Sequence, residues 1–319
     1  TLAAGGTTTL WTRRANWDGE SSIPPPGDDI IVGNLGSFEY IDPHGTQTIG
    51  NLTYNVTAWI GWYKNWFIGT VVITGSRIEG YGEIGADMIL SNDITWHVDP
   101  YSSTKSGRIH RSFKEAGGPR MITKTGEGFL RLDRDNDFSG GIILSNGEVR
   151  SVQLSTGGAL GSGPIYFRGG ELTIGTTEQV ISNNLIFESE ANYDYLRARD
   201  GATAIYVGPW DGIVNNNIRF EMREGCTTII AGDAANSVEI NQWQFPGGVL
   251  QIDRKTALNF ISPVNFYFSS WSVQDASLLL NEGVLWDDRL MFAGCSNVTV
   301  GGINTNGTCT FNRQNQLTW

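Results

Sequence analysis

The sequence predicts an all-β chain wound as a β-solenoid of roughly 14 rungs, and two observations carry that reading. The first is a recurring phrase, a Gly followed by alternating apolar positions, at Gly126–Leu132, Asn146–Val152 and Gly169–Ile174. Its starts at Gly126, Gly147 and Gly169 lie about one solenoid turn apart, roughly 20–25 residues. A unit of that length cannot bury its apolar side alone, so successive units must stack to make a core. The second is composition. The chain has 319 residues, 41 of them Gly and 17% charged, with abundant Val, Ile, Thr and aromatic residues and no helix-forming blocks. Such residues suit pleated surfaces. At about 4.8 Å per stacked strand the coils would make a rod of roughly 65–70 Å.

Residues 1–36 read as an irregular N-terminal cap. Trp11 and Trp17 precede a Pro24-Pro25-Pro26-Gly27-Asp28-Asp29 run that leads into Ile30-Ile31-Val32. A Pro run is a stiff extended connection, and the open end of a solenoid needs a cover. Residues 37–319 read as the solenoid. Thr48–Tyr54, Thr70–Thr74 and Met88–Ile94 are its early strands, parted by Gly-rich turns. Between them Trp59, Trp62, Tyr63, Trp66 and Phe67 crowd into nine residues. They are either an apolar plug under the cap or an exposed contact for sugar rings or a second subunit. The polar, basic stretch near 100–120, with His110, reads as a loop excursion. Further on, Thr228–Ile230, Val249–Ile252, Ser277–Leu280, Gly283–Trp286 and Val298–Gly302 continue the rung pattern, and the Asn clusters at 183–184 and 215–217 suit stacked corners.

Function classes narrow by charge. A net charge of −11 argues against nucleic acid, which needs clustered Lys and Arg. It argues equally against an anionic membrane surface, and no apolar run approaches a membrane-spanning length. No signal segment precedes Thr1, so a secreted chain would already have lost it. Three cysteines are too few for a disulfide scaffold. Cys295 and Cys309 are a candidate bridge, with small buried hydrophobes as the alternative.

Catalytic constellations are weak. Asp133, Asp135 and Asp137 share one face if their segment is a strand, with Arg131 and Arg134 opposite. That spacing is a candidate calcium site, and turn chemistry is the favoured alternative. Asp28-Asp29 and Asp287-Asp288 put neighbouring carboxylates on opposite faces, unsuited to an acid–base couple. His44, His97 and His110 are isolated in sequence. No nucleophile elbow or phosphate loop appears, and no cofactor is expected. Asn51, Asn55, Asn297 and Asn306 head candidate N-glycosylation sequons.

The central stretch resembles the autotransporter-associated β-strand repeat of secreted bacterial passenger domains and surface proteins. The likeness rests on Lys124-Thr125-Gly126-Glu127-Gly128, on Leu130 and Leu132, and on Asn136-Asp137-Phe138-Ser139-Gly140-Gly141 with Ile142-Ile143-Leu144. Ala159-Leu160-Gly161-Ser162-Gly163 and Gly169-Gly170-Glu171-Leu172 complete it. One clear copy covers about 50 residues, and no outer-membrane barrel pattern follows. The resemblance implies a right-handed parallel β-helix, secretion and a surface role, with no catalytic residues. The leading expectation is a non-enzymatic extracellular or cell-surface structural protein that associates with copies of itself into a fibre, tube, sheath or layer. The alternatives are an adhesin or passenger domain that binds surface glycans, and a polysaccharide lyase or hydrolase of the β-helix type.

Overall fold

A computed structural model describes residues 9–10, 25–32, 41–42, 45–55, 69–99, 106–152, 158–175, 178–189, 193–211, 217–222 and 226–230, and the backbones of short strands from Ser237–Glu239 to Gln316–Thr318. The described residues are all-β, without helix, and their strands pair in parallel as a stacked β-solenoid. The chain divides into two compact units, Thr1–Gly163 and Pro164–Trp319.

In the first unit each rung contributes strands to three faces. The first face stacks Gly45–Ile49, Gly69–Ile73, Asp87–Leu90 and Phe113–Glu115. The second stacks Ile30–Val32, Leu52–Asn55, Arg77–Ile84, Ile94–His97, Met121–Thr125 and Gly141–Leu144. The third stacks the end of Arg77–Ile84 with Ser106–Ile109, Phe129–Leu132 and Glu148–Ser151. Hydrogen-bonded partners on neighbouring rungs are separated by 18 to 28 residues, so rung length varies around the period read from the glycines.

Alternation puts one set of side chains inside. Ile78, Trp96, Ile122, Leu130, Leu132, Leu144 and Val149 are all 1% exposed or less. An aromatic column runs through the first unit. Tyr54 meets Trp96 edge-on at 6.5 Å, Trp96 meets Phe113 at 5.7 Å, and Phe113 meets Phe138 at 6.4 Å. In the second unit Phe167 stacks on Phe187 at 4.7 Å, and Phe187 lies 5.7 Å from Trp210. The second unit also carries a seven-stranded parallel sheet from Glu178–Ile181 to Gln316–Thr318.

The recurring phrase marks a real corner. Gly126, Gly147 and Gly169 have φ of +76°, +68° and +95°, a region that favours Gly. A Cβ on Gly147 would lie 2.4 Å from the Gly126 carbonyl oxygen. The rest of the central repeat has equally physical jobs. Buried Asn136 accepts the Phe113 N–H at 2.8 Å and donates to the Ala159 carbonyl at 2.5 Å, joining neighbouring rungs. Phe138, Ala159 and Leu160 fill the core.

Three expectations need correction. Thr48–Tyr54 and Met88–Ile94 each span two strands, because Gly50-Asn51 and Ser91-Asn92-Asp93 turn corners within them. The solenoid begins before residue 37, since Ile30–Val32 already pairs with Leu52–Tyr54. The stretch near 100–120 contains two rung strands, Ser106–Ile109 and Phe113–Glu115. Gly107, Ile109 and Phe113 face inward there, while the outward Arg and Lys make the segment look like a solvated loop.

Candidate functional site

The third face of the first unit carries the densest charge chemistry. Inward residues Gly107, Leu130 and Val149 alternate with outward Arg108, Arg131 and Arg150. Register places Arg108 beside Arg131 and Arg131 beside Arg150, an arginine column at strand spacing. Like charges side by side need compensation, and two carboxylates supply it. Asp133 accepts from Arg131 Nε at 2.5 Å and from Arg108 Nε at 2.6 Å, with His110 Nδ1 at 3.4 Å. Glu148 accepts from Arg150 through Nε at 3.0 Å and Nη2 at 2.7 Å, the two-pronged geometry a guanidinium favours. The Arg150 guanidinium also lies 4.0 Å from the centre of the Phe129 ring.

Depth separates the signs. The Asp133 side chain is 1% exposed and that of Glu148 11%, whereas Arg108, Arg131 and Arg150 are 17%, 27% and 23% exposed. The carboxylates lie under the guanidiniums, so solvent meets cation edges. In the second unit Arg197 pairs with Glu171 and sits 4.5 Å from the Tyr195 ring centre, but there the carboxylate is the more exposed partner.

A second polar cluster lies where the Ile94–His97 and Met121–Thr125 strands end. His97 Nδ1 is 3.0 Å from Thr125 Oγ1, and its Nε2 is 2.8 Å from Asp99. This hydroxyl–imidazole–carboxylate chain resembles a nucleophile relay in connectivity. It sits, however, on the outward side of two strands, and its carboxylate is 68% exposed. Next to it, Lys124 turns inward and donates to the carbonyls of Thr125, Gly126 and Asn146 at 2.8, 2.7 and 3.2 Å. Burial draws its pKa down to about 7, against the opposing pull of Glu148 and Asp99. In the second unit Asp194 is fully buried and accepts the Gly169 N–H at 2.8 Å, while its Oδ2 finds no hydrogen-bond partner among the described residues. Burial raises its pKa to about 7, with the Gly169 hydrogen bond opposing.

The sequence candidates fall out as follows. Asp133, Asp135 and Asp137 do not share a face, because the strand Phe129–Leu132 ends before them. Asp133 is buried under its two arginines, and Asp135 and Asp137 are exposed. Among the described residues no group of three His, Cys, Asp or Glu side chains is placed to hold a metal ion, so the calcium candidate is withdrawn. Asp29 caps a corner: its Oδ1 accepts Asn51 N–H at 2.7 Å and Asn51 Nδ2 at 2.9 Å, which lowers its pKa. Asn51 Oδ1 in turn accepts the N–H groups of Ser76 and Arg77. The sequon Asn51 is thus committed to a corner ladder. Asn55 and Asn297 lie in strands. Cys309 opens the strand Cys309–Phe311, beside Leu290. Trp59, Trp62, Tyr63, Trp66, Cys295, Asn306 and His44 lie outside the described residues. Cys226 is buried and free.

Sequence reading missed the arginine column, although its signal was present. Gly107-Arg108-Ile109, Leu130-Arg131-Leu132 and Val149-Arg150-Ser151 each set one Arg between two inward positions, one rung apart. No family model, curated protein or solved structure matches the chain.

Proposed function

We propose that the chain is a non-enzymatic extracellular structural protein, a β-solenoid subunit that associates with copies of itself in a fibre, sheath or layer. One observation carries this reading: the strongest polar groups are spent on joining rungs. Asp133 ties Arg108 to Arg131. Lys124 gathers three carbonyls from two rungs. Glu115 accepts from Ser139 N–H and Oγ and from Arg120 N–H, and Asn136 bridges Phe113 and Ala159. Groups that an active site would leave poised are committed to the scaffold. The resemblance of residues 124–172 to a surface-protein repeat supports an extracellular setting, and outward columns with one fixed spacing suit side-by-side packing of identical subunits.

Electron microscopy and light scattering on the purified chain test the proposal. Ordered filaments or sheets that dissolve into monomers when the last two strands are deleted are the expected result. A chain that stays monomeric at every concentration overturns it. The adhesin reading has its own support in the arginine column.

A further inference from the structure

We infer that the outward column Arg108–Arg131–Arg150 binds a linear acidic polysaccharide, one carrying a carboxylate or sulfate on successive sugars. Register sets Glu83 beside Arg108 at one end of the column, and Asp133 and Glu148 are held by the three guanidiniums. What favours an anionic ligand is the layering. Asp133 is 1% exposed and Glu148 11%, so the negative charge is covered by the arginines it orients. A ligand approaching from solvent meets cations already fixed in place. Preorganisation of that kind removes the ordering cost a flexible Arg would otherwise incur on binding.

The repeat defines the ligand. Register sets the three arginine backbones one strand spacing apart, about 4.8 Å. A single small anion would use one guanidinium; a chain with a regularly spaced anion would use all three, and each engagement raises the effective concentration for the next. A pyranose ring is comparable in length to that gap, and a polyuronate offers one carboxylate per ring, which a guanidinium takes in a fork. Phe129, beside the column and 4.0 Å from the Arg150 guanidinium, adds an aromatic surface on which the C–H face of a sugar can rest. Single-stranded nucleic acid would ask for a run of stacking aromatics and a basic groove. The column offers one aromatic residue in an acidic protein, so the glycan is favoured.

The full chain, kept monodisperse, is titrated at low salt with oligogalacturonate, with a sulfated glycan oligomer, with a neutral glucan and with a single-stranded oligonucleotide of matched charge. Binding to one or both acidic glycans is expected, with no binding to the neutral one, and the affinity should fall steeply as salt rises. The stronger of the two acidic arms identifies carboxylate or sulfate as the favoured anion. Arg150→Gln, which leaves the Asp133 pair intact, should weaken binding about tenfold, since a charge-assisted hydrogen bond is worth roughly 1.5 kcal/mol or more. Arg131→Lys keeps the charge and loses the fork; it should weaken binding by a smaller factor with the melting temperature nearly kept. Arg168→Gln, an exposed arginine of the second unit paired with Glu188, serves as the control and should bind like the parent chain. Equal binding of the neutral glucan, tighter binding of the oligonucleotide, no binding at low salt, or unchanged affinity in both column variants overturns the inference.

Discussion

Arg108 and Asp133 belong to successive rungs, 25 residues apart, and their side chains meet at 2.6 Å with the carboxylate almost wholly buried. Arg131 holds the other oxygen at 2.5 Å. Removing the carboxylate leaves two neighbouring guanidiniums without it. Asp133→Ala is therefore expected to destabilise the first unit by roughly 3–5 kcal/mol, the range for breaking one side of a buried ion pair. Chemical denaturation measures it; a loss below about 1 kcal/mol, the level of a surface pair, would show that the pair contributes little.

Gly147 tests the corner. Its φ is +68°, and a methyl group would sit 2.4 Å from the Gly126 carbonyl oxygen. Gly147→Ala combines left-handed strain with a backbone clash, and a loss of at least ~2 kcal/mol is expected. Gly118→Ala, where a Cβ meets nothing within 4 Å at φ +121°, isolates the strain alone and should cost less. Thermal melting of the two variants side by side decides whether the close approach matters.

Two buried titrating groups give opposite pH dependences. Asp194 has its pKa raised to about 7 from 3.8. Between those values the folded state holds a proton that the unfolded chain has lost, so the stability it contributes is full below pH 3.8 and declines as pH rises through 7. Lys124 is lowered to about 7 from 10.5. The unfolded chain then binds the extra proton between pH 7 and 10.5, so its penalty fades and stability rises with pH across that window. Asp194→Asn keeps an oxygen for the Gly169 N–H without the charge. It should raise stability relative to the parent at pH 8, by up to about 4 kcal/mol at roughly 1.4 kcal/mol per pKa unit, and change little at pH 4. Urea titrations of both proteins at the two pH values check the sign.

Lys124→Met keeps the bulk of the stem and removes the donors to three carbonyls. A cost of roughly 2–4 kcal/mol at pH 6 follows from unsatisfied buried acceptors. A neutral or stabilising outcome would mean that relief from burying the charge outweighs the three bonds.

Asn51 is predicted to stay unmodified in a glycosylating host, because Nδ2 lies against Asp29 and Oδ1 holds two backbone N–H groups. Peptide mass spectrometry reads this directly. Asn51→Ala should lower the melting temperature by several degrees, consistent with ~1–2 kcal/mol for a lost cap.

What could be read from residues alone follows from how each signal is encoded. The corner glycines at 126, 147 and 169 were legible because only backbone geometry selects them, whatever their neighbours do. The inward alternation at Leu130, Leu132 and Val149 was legible for the same reason: one face is always apolar. Ser106–Glu115 was misread because its two buried positions around Arg108 are a Gly and an Ile, too few to outweigh the surrounding cations. The Asp triplet was misread because strand alternation was carried past Leu132 as far as Asp137, whereas the strand ends at Leu132 and Asp133 folds under its arginines. The column itself depends on register between rungs of unequal length, a quantity that no local window contains.

The separation between inward and outward positions gives this scaffold an editable exterior. Corners and core are set by Gly126, Gly147, Asn136 and the buried aromatic column, while residues 108, 131 and 150 face outward. Side chains at those three outward sites could be exchanged as a matched set, with their buried carboxylates, to write a different linear pattern of chemistry at fixed pitch. The rung is then a ruled line, and the protein a template on which ligand spacing is chosen by choosing which lines to fill.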